Sequence, residues 1–113
     1  MPKMDLLQGT LDMLVLQTLS RGPMHGFAIA RWIRETTNDA LQLEEGTLYP
    51  ALYRMERKGW IASRWRQTEN NRKARYYNLT AGGRKQLEAE SEGWLNMSRA
   101  IGRIMRAPQA SRA

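Results

Sequence analysis

Between Gly46 and Gly59 the apolar positions Leu48, Leu52 and Met55 fall at i, i+4 and i+7, the buried stripe of one short helix. Pro50 lacks a backbone donor and fits only a first turn, which places the start of this helix near Gly46 to Tyr49. Gly59 suits a left-handed stop, with Trp60 packing back on Met55 in a Schellman-type end. The remaining faces carry Thr47, Tyr49, Tyr53, Arg54, Arg57 and Lys58. Hydroxyls, phenols and guanidinium groups on the open side of a short helix suit a DNA major groove.

Upstream, Asp5 with Gln8 forms a capping-box pattern, and Leu6, Leu7, Leu11, Leu14, Val15 and Leu19 make a first helix apolar on more than one face. Ser20-Arg21-Gly22-Pro23 ends it. A second helix runs from about Met24–Gly26 to Thr36, with Phe27, Ala30 and Ile33 inward and Arg31, Arg34 and Glu35 outward. His25, at its entry, reads as a structural cap. Thr37-Asn38-Asp39 is a turn, and the brief alternation over Ala40–Leu43 predicts a short strand. After Gly59 the period becomes two. Ile61, Ser63 and Trp65 alternate with Ala62, Arg64 and Arg66, a polar loop spans 67–73, and Arg75–Leu79 follows, which predicts a β-hairpin.

Thr80 caps a last helix from about Ala81 to Met105, weakened at its start by Gly82 and Gly83. Leu87, Trp94, Met97, Ile101 and Ile104 recur along it at a/d-like spacing. At 1.5 Å per residue such a helix is about 37 Å long, more than a small core covers. Half of its stripe should therefore lie against a partner, most simply a second copy of the chain. Residues 106–113 are expected to be a disordered tail.

The order helix, helix, short strand, helix, basic hairpin, long helix predicts a mainly α fold with a small β-hairpin wing: a winged helix-turn-helix over residues 5–80 and a dimerisation helix over 81–105. Composition sharpens this. At 113 residues there is room for one modest core. No cysteine occurs and only one histidine, so disulfides, thiolate metal sites and multi-histidine metal sites within one chain are excluded. No apolar run reaches membrane-span length and no secretion signal is evident, so the expected location is the cytoplasm. Residues 54–75 hold eight basic residues against Glu56 and Glu69, which is six of the seven net positive charges. That concentration is the footprint of a polyanion partner. An enzyme fails on inventory, and no cofactor or metal is expected. The competing reading is a winged-helix module that binds DNA without sequence preference, RNA or protein.

His25-Gly26-Phe27, the run Gly46-Thr47-Leu48-Tyr49-Pro50-Ala51-Leu52, Glu56 with Gly59, and Arg75-Tyr76-Tyr77-Asn78-Leu79-Thr80 with Gly83 resemble, in order, the PadR-like transcriptional regulators. The single C-terminal helix resembles the smaller subfamily. Phe27 departs from the tyrosine of many members, removing a hydroxyl with the packing expected to stay. The resemblance implies a homodimeric repressor that binds inverted repeats near its own or a neighbouring promoter, with half-sites resembling ATGT and ACAT. It also implies that the first and last helices form the dimer interface. Carried onto this chain, Thr47, Tyr49 and Arg54, with Tyr53 and Arg57 on the same helix, would meet double-stranded DNA, and Arg72, Lys73 and Arg75 would serve the wing. Leu11, Leu87, Trp94, Met97, Ile101 and Ile104 would line the dimer seam. Some members are released from DNA by a planar aromatic or phenolic effector at or near that seam, where Trp94 offers a stacking surface.

Overall fold

A computed structural model of the chain describes residues 8–110. The elements run α1 (Gln8–Leu19), β1 (Met24–His25), α2 (Gly26–Thr36), α3 (Glu45–Arg57), β2 (Ile61–Gln67), β3 (Lys73–Leu79) and α4 (Ala81–Arg106). This is the expected mainly α fold with a hairpin wing and a long C-terminal helix.

Helix α1 is the centre of the packing. Leu11, Val15, Leu16 and Leu19 are all buried, which is why its apolar residues cover more than one face. The expected cap at Asp5, and Leu6 and Leu7, lie outside the described residues. Around α1 close Ile29 and Ile33 of α2, Leu48, Leu52 and Met55 of α3, and Ile61 and Tyr77 of the hairpin.

Local chemistry sets the joints. His25 is the N-cap of α2, its Nδ1 accepting from the Ala28 amide at 3.1 Å. At the end of α3 the Trp60 amide donates to the Met55 carbonyl at 3.1 Å and the Gly59 amide to Glu56 at 3.0 Å, with Gly59 at φ 78. That is the Schellman arrangement, and only glycine enters it without strain. Thr80 then ties the next element back: its hydroxyl donates to the Gly59 carbonyl at 2.6 Å and accepts from the Gly83 amide at 3.0 Å. Gly83 itself is buried, and a Cβ there would overlap the Trp60 carbonyl oxygen. Of the glycine pair that weakens the first turn of α4, Gly83 is thus the one that lets that turn dock.

Three expectations need correction. Residues 40–43 form no strand; Leu41 and Leu43 turn one side of an extended loop onto the core, and the small third strand is Met24–His25, paired with Tyr76 and Tyr77. The sheet order is β1-β3-β2, antiparallel throughout. In α2 the inward stripe is Gly26, Ile29 and Ile33, while Phe27 is 62% exposed. Two stripes offset by one residue share Ile33, and periodicity alone does not choose between them. Finally, α3 begins at Glu45, so Pro50 sits in its second turn. Its ring faces the carbonyl of Gly46, and both residues are on the exposed side, where water can serve that carbonyl.

Candidate nucleic-acid interface

Burying Leu48, Ala51, Leu52 and Met55 turns the opposite side of α3 outward. Thr47, Tyr49, Tyr53 and Arg57 line it, with Tyr53 64% exposed and the Arg57 guanidinium 5.8 Å from its ring centroid. Lys58 lies over Trp60 at 4.6 Å. Tyr49 has a second attachment. Its ring rests on Gly26, where a Cβ would meet the phenol oxygen at 2.6 Å, so the tyrosine is braced against the start of α2.

The wing continues this surface. Its strands pair in register from Ile61↔Leu79 to Gln67↔Lys73. The tip is closed by hydrogen bonds from the Thr68 amide to the Arg72 carbonyl at 2.6 Å and from the Asn71 amide to Thr68 at 3.0 Å, with Asn71 at φ 62. Arg64, Arg66, Arg72 and Lys73 all stand in solvent. Arg66 lies 4.6 Å over Tyr76 on the outer face. α3 and the wing thus each expose basic side chains, with hydroxyls on α3.

Two of the arginines are differently placed. Arg54 turns inward and pairs with Asp12, a carboxylate only 3% exposed on α1. Burial pushes the Asp12 carboxyl above the usual carboxylate value, while Arg54 pulls it down. Arg75 donates from Nε to Ser63 Oγ at 2.8 Å and lies 3.8 Å from Glu56 of α3. Sequence reasoning missed Asp12, Ser63 and the strut role of Glu56. A single acid inside the run Leu11–Val15 was the available signal for Asp12.

α4 packs on α1 and then projects beyond the core, and the molecule measures 68 Å in its long dimension. Leu87 is half-buried against the core. Trp94, Met97, Ile101 and Ile104 lie open, Ile104 at 74%, and Leu95 and Met105 extend the same exposed apolar surface. Leu11 is placed elsewhere, in the chain's own core at 4% exposure. Between α1 and α4 a shallow cavity of about 240 Å³ is lined by Met13, Leu14, Gln17, Ser91, Trp94 and Leu95. Among the described residues, no cluster of acids and histidine is grouped to hold a metal, and no helix is long and apolar enough to cross a membrane.

A helix pair presenting an exposed polar helix beside a basic hairpin defines a winged helix-turn-helix of the DNA-binding class. The particular family follows from comparison: the model of the PadR-like transcriptional regulator family matches residues 15–89, and the chain belongs to that family. It is a DNA-binding transcriptional regulator. A PadR family transcription regulator of Clostridium difficile is 32% identical, with 84% of this chain and 97% of that one covered at a TM-score of 0.73. An uncharacterized protein of Lysinibacillus sphaericus is 28% identical over 105 residues, covering 93% of this chain and 96% of its own length. A 37.1 kDa protein in transposon Tn4556 of Streptomyces fradiae is 38% identical over 93 residues, 82% of this chain; the match spans 24% of that larger protein.

Proposed function

We propose that the chain acts in the cytoplasm as a homodimeric repressor of an inverted-repeat operator near its own or a neighbouring promoter. The observation that carries this is the apolar stripe of α4, which leaves Trp94, Met97, Ile101 and Ile104 uncovered on a helix that outruns its core. A monomer exposing such a stripe lowers its free energy by pairing, and a two-fold pair presents two copies of α3 to one duplex. Each α3 would then lie in a major groove one helical turn from the other, with Thr47, Tyr49, Tyr53 and Arg57 toward the bases and phosphates and Arg72 and Lys73 on the backbone. A planar aromatic effector would stack on Trp94 in the shallow apolar groove between α1 and α4. It would release the operator by binding the arrangement of the two wings that does not fit DNA more tightly than the one that does.

The test is titration against the chain's own upstream DNA and a scrambled duplex at two salt concentrations, with sedimentation to give the oligomeric state. A dimer preferring the upstream fragment by about a thousandfold or more supports a specific, self-regulating repressor. Equal, steeply salt-dependent binding to both duplexes, or a monomer at micromolar concentration, overturns it.

A further inference from the structure

The hairpin face toward α3 carries Ile61, Ser63 and Trp65 from β2 and, directly across, Leu79, Tyr77 and Arg75 from β3. Its base is core, because Ile61 and Tyr77 are buried. Its middle is a closed polar triangle spanning three elements. Ser63 Oγ donates to Glu56 Oε2 at 2.6 Å, Arg75 Nε donates to Ser63 Oγ at 2.8 Å, and the Arg75 guanidinium lies 3.8 Å from the same Glu56 oxygen. Its outer end is Trp65, which is 65% exposed with that guanidinium 5.8 Å from its ring centroid.

We infer that Glu56 is a positioning residue, holding Arg75 through Ser63 as a strut between recognition helix and wing, and that Trp65, not Arg75, is the side chain this face presents to DNA. The inference deepens the DNA-binding reading above and rests on it. Arg75 already has Glu56 3.8 Å from its guanidinium, and that carboxylate offsets the charge it would bring to a phosphate. Trp65 has a large apolar face in water, and its indole N–H is a donor without acceptor capacity. Phosphate oxygens and the minor-groove edges of A·T pairs are acceptors. The occupant is a polyanion because segment 54–75 carries six of the net seven positive charges, with Lys73 exposed on the same hairpin face as Trp65.

The probe is a duplex selected by the wild-type protein from a random pool, with its scrambled version, titrated across salt. Trp65→Ala lowers affinity for the selected duplex about tenfold or more, as truncated interface tryptophans do, and leaves the salt slope unchanged. Trp65→Phe recovers most of that loss. Arg75→Gln leaves the slope unchanged, whereas Glu56→Gln frees a cation, steepens the slope by about one and narrows the preference for the selected duplex. Thermal unfolding of each variant checks that the fold persists, and Trp65→Phe keeps the test open if the alanine variant is unstable. Undiminished affinity in Trp65→Ala, or a slope flattened by about one in Arg75→Gln, overturns the inference. A Lys73→Ala control separates the two levels. If it weakens binding while the Trp65 variants do not, the strut proposal fails and the DNA reading stands; a wild-type protein that selects no duplex sinks the reading itself.

Discussion

Arg54→Ala removes the only charge that faces Asp12 at contact distance in the described structure, and its effect on stability follows from where the two groups lie. Asp12 sits on the central helix with its side chain 5% exposed, and the guanidinium reaches it from α3 with 29% exposure. Burial raises the Asp12 carboxyl above its ordinary value of 3.8; Arg54 lowers it, Lys58 adds a weaker pull in the same direction, and Glu90 opposes them. Among the described residues the Arg54 Nε is buried without a hydrogen-bond partner, so the pair is incompletely satisfied. Taking away the cation leaves the almost fully buried carboxylate uncompensated, a loss of about 3–5 kcal/mol. Near the midpoint a chain of 113 residues loses about 4 °C per kcal/mol, so the melting temperature should fall by roughly 12–20 °C.

The pH dependence has a definite sign. Because the folded-state pKa is raised, the folded chain holds the Asp12 proton more tightly than the unfolded chain does. The stability this group contributes is full below its unfolded pKa and is lost as pH rises through the folded one. Without Arg54 the carboxyl rises further, so the Arg54→Ala penalty is largest at neutral pH and shrinks toward acid. Asp12→Asn, which imitates the neutral form, should be close to wild type or slightly more stable at pH 7, since burial outweighs the pull of Arg54. Thermal and urea unfolding followed by circular dichroism from pH 4 to 8 at one protein concentration would measure both. An Arg54→Ala loss below about 1 kcal/mol with no pH dependence, the behaviour of an exposed pair, would refute the reasoning. So would an Asp12→Asn variant as damaged as Arg54→Ala.

Gly83→Ala should destabilise by roughly 1–3 kcal/mol through overpacking against the Trp60 carbonyl, where helix propensity alone would predict a gain; chemical denaturation decides the sign. Tyr49→Ala should cost roughly 1–3 kcal/mol on the operator and relax sequence preference. Tyr49→Phe keeps the ring on Gly26, so a full loss in that variant assigns the effect to the hydroxyl and an unchanged affinity assigns it to packing. Trp94→Ala should weaken dimerisation by about 3–5 kcal/mol, by analogy with large-to-small core changes, with little change in helix content. An unchanged dimer constant in sedimentation would remove Trp94 from the interface.

What was legible in the chain was whatever local chemistry decides. His25, Gly59, Thr80 and the 61–79 alternation set caps, a stop and a hairpin through hydrogen bonds between near neighbours, and the structure has them at those positions. What was not legible depends on which of several apolar or charged residues wins a shared interior. Phe27 and Ile29 belong to two different stripes that share Ile33, and folding buries the one with Ile29 and leaves Phe27 outside. Leu11 and Trp94 both read as seam residues, yet one is in the chain's own core and the other is half open. Arginines 54, 57, 72 and 75 formed a single basic patch in the sequence. Folding divides them by partner: Asp12 and Glu56, each distant from its arginine in sequence or on another element, claim Arg54 and Arg75. The division has a consequence for recognition. A cation locked to a carboxylate adds rigidity to the face that DNA would meet but little to counterion release, so the number of phosphates neutralised should be smaller than the number of basic residues in the patch. Counting charges along the chain should therefore overestimate the salt dependence of binding, with the excess corresponding to the two arginines that hold α3 to α1 and to the wing.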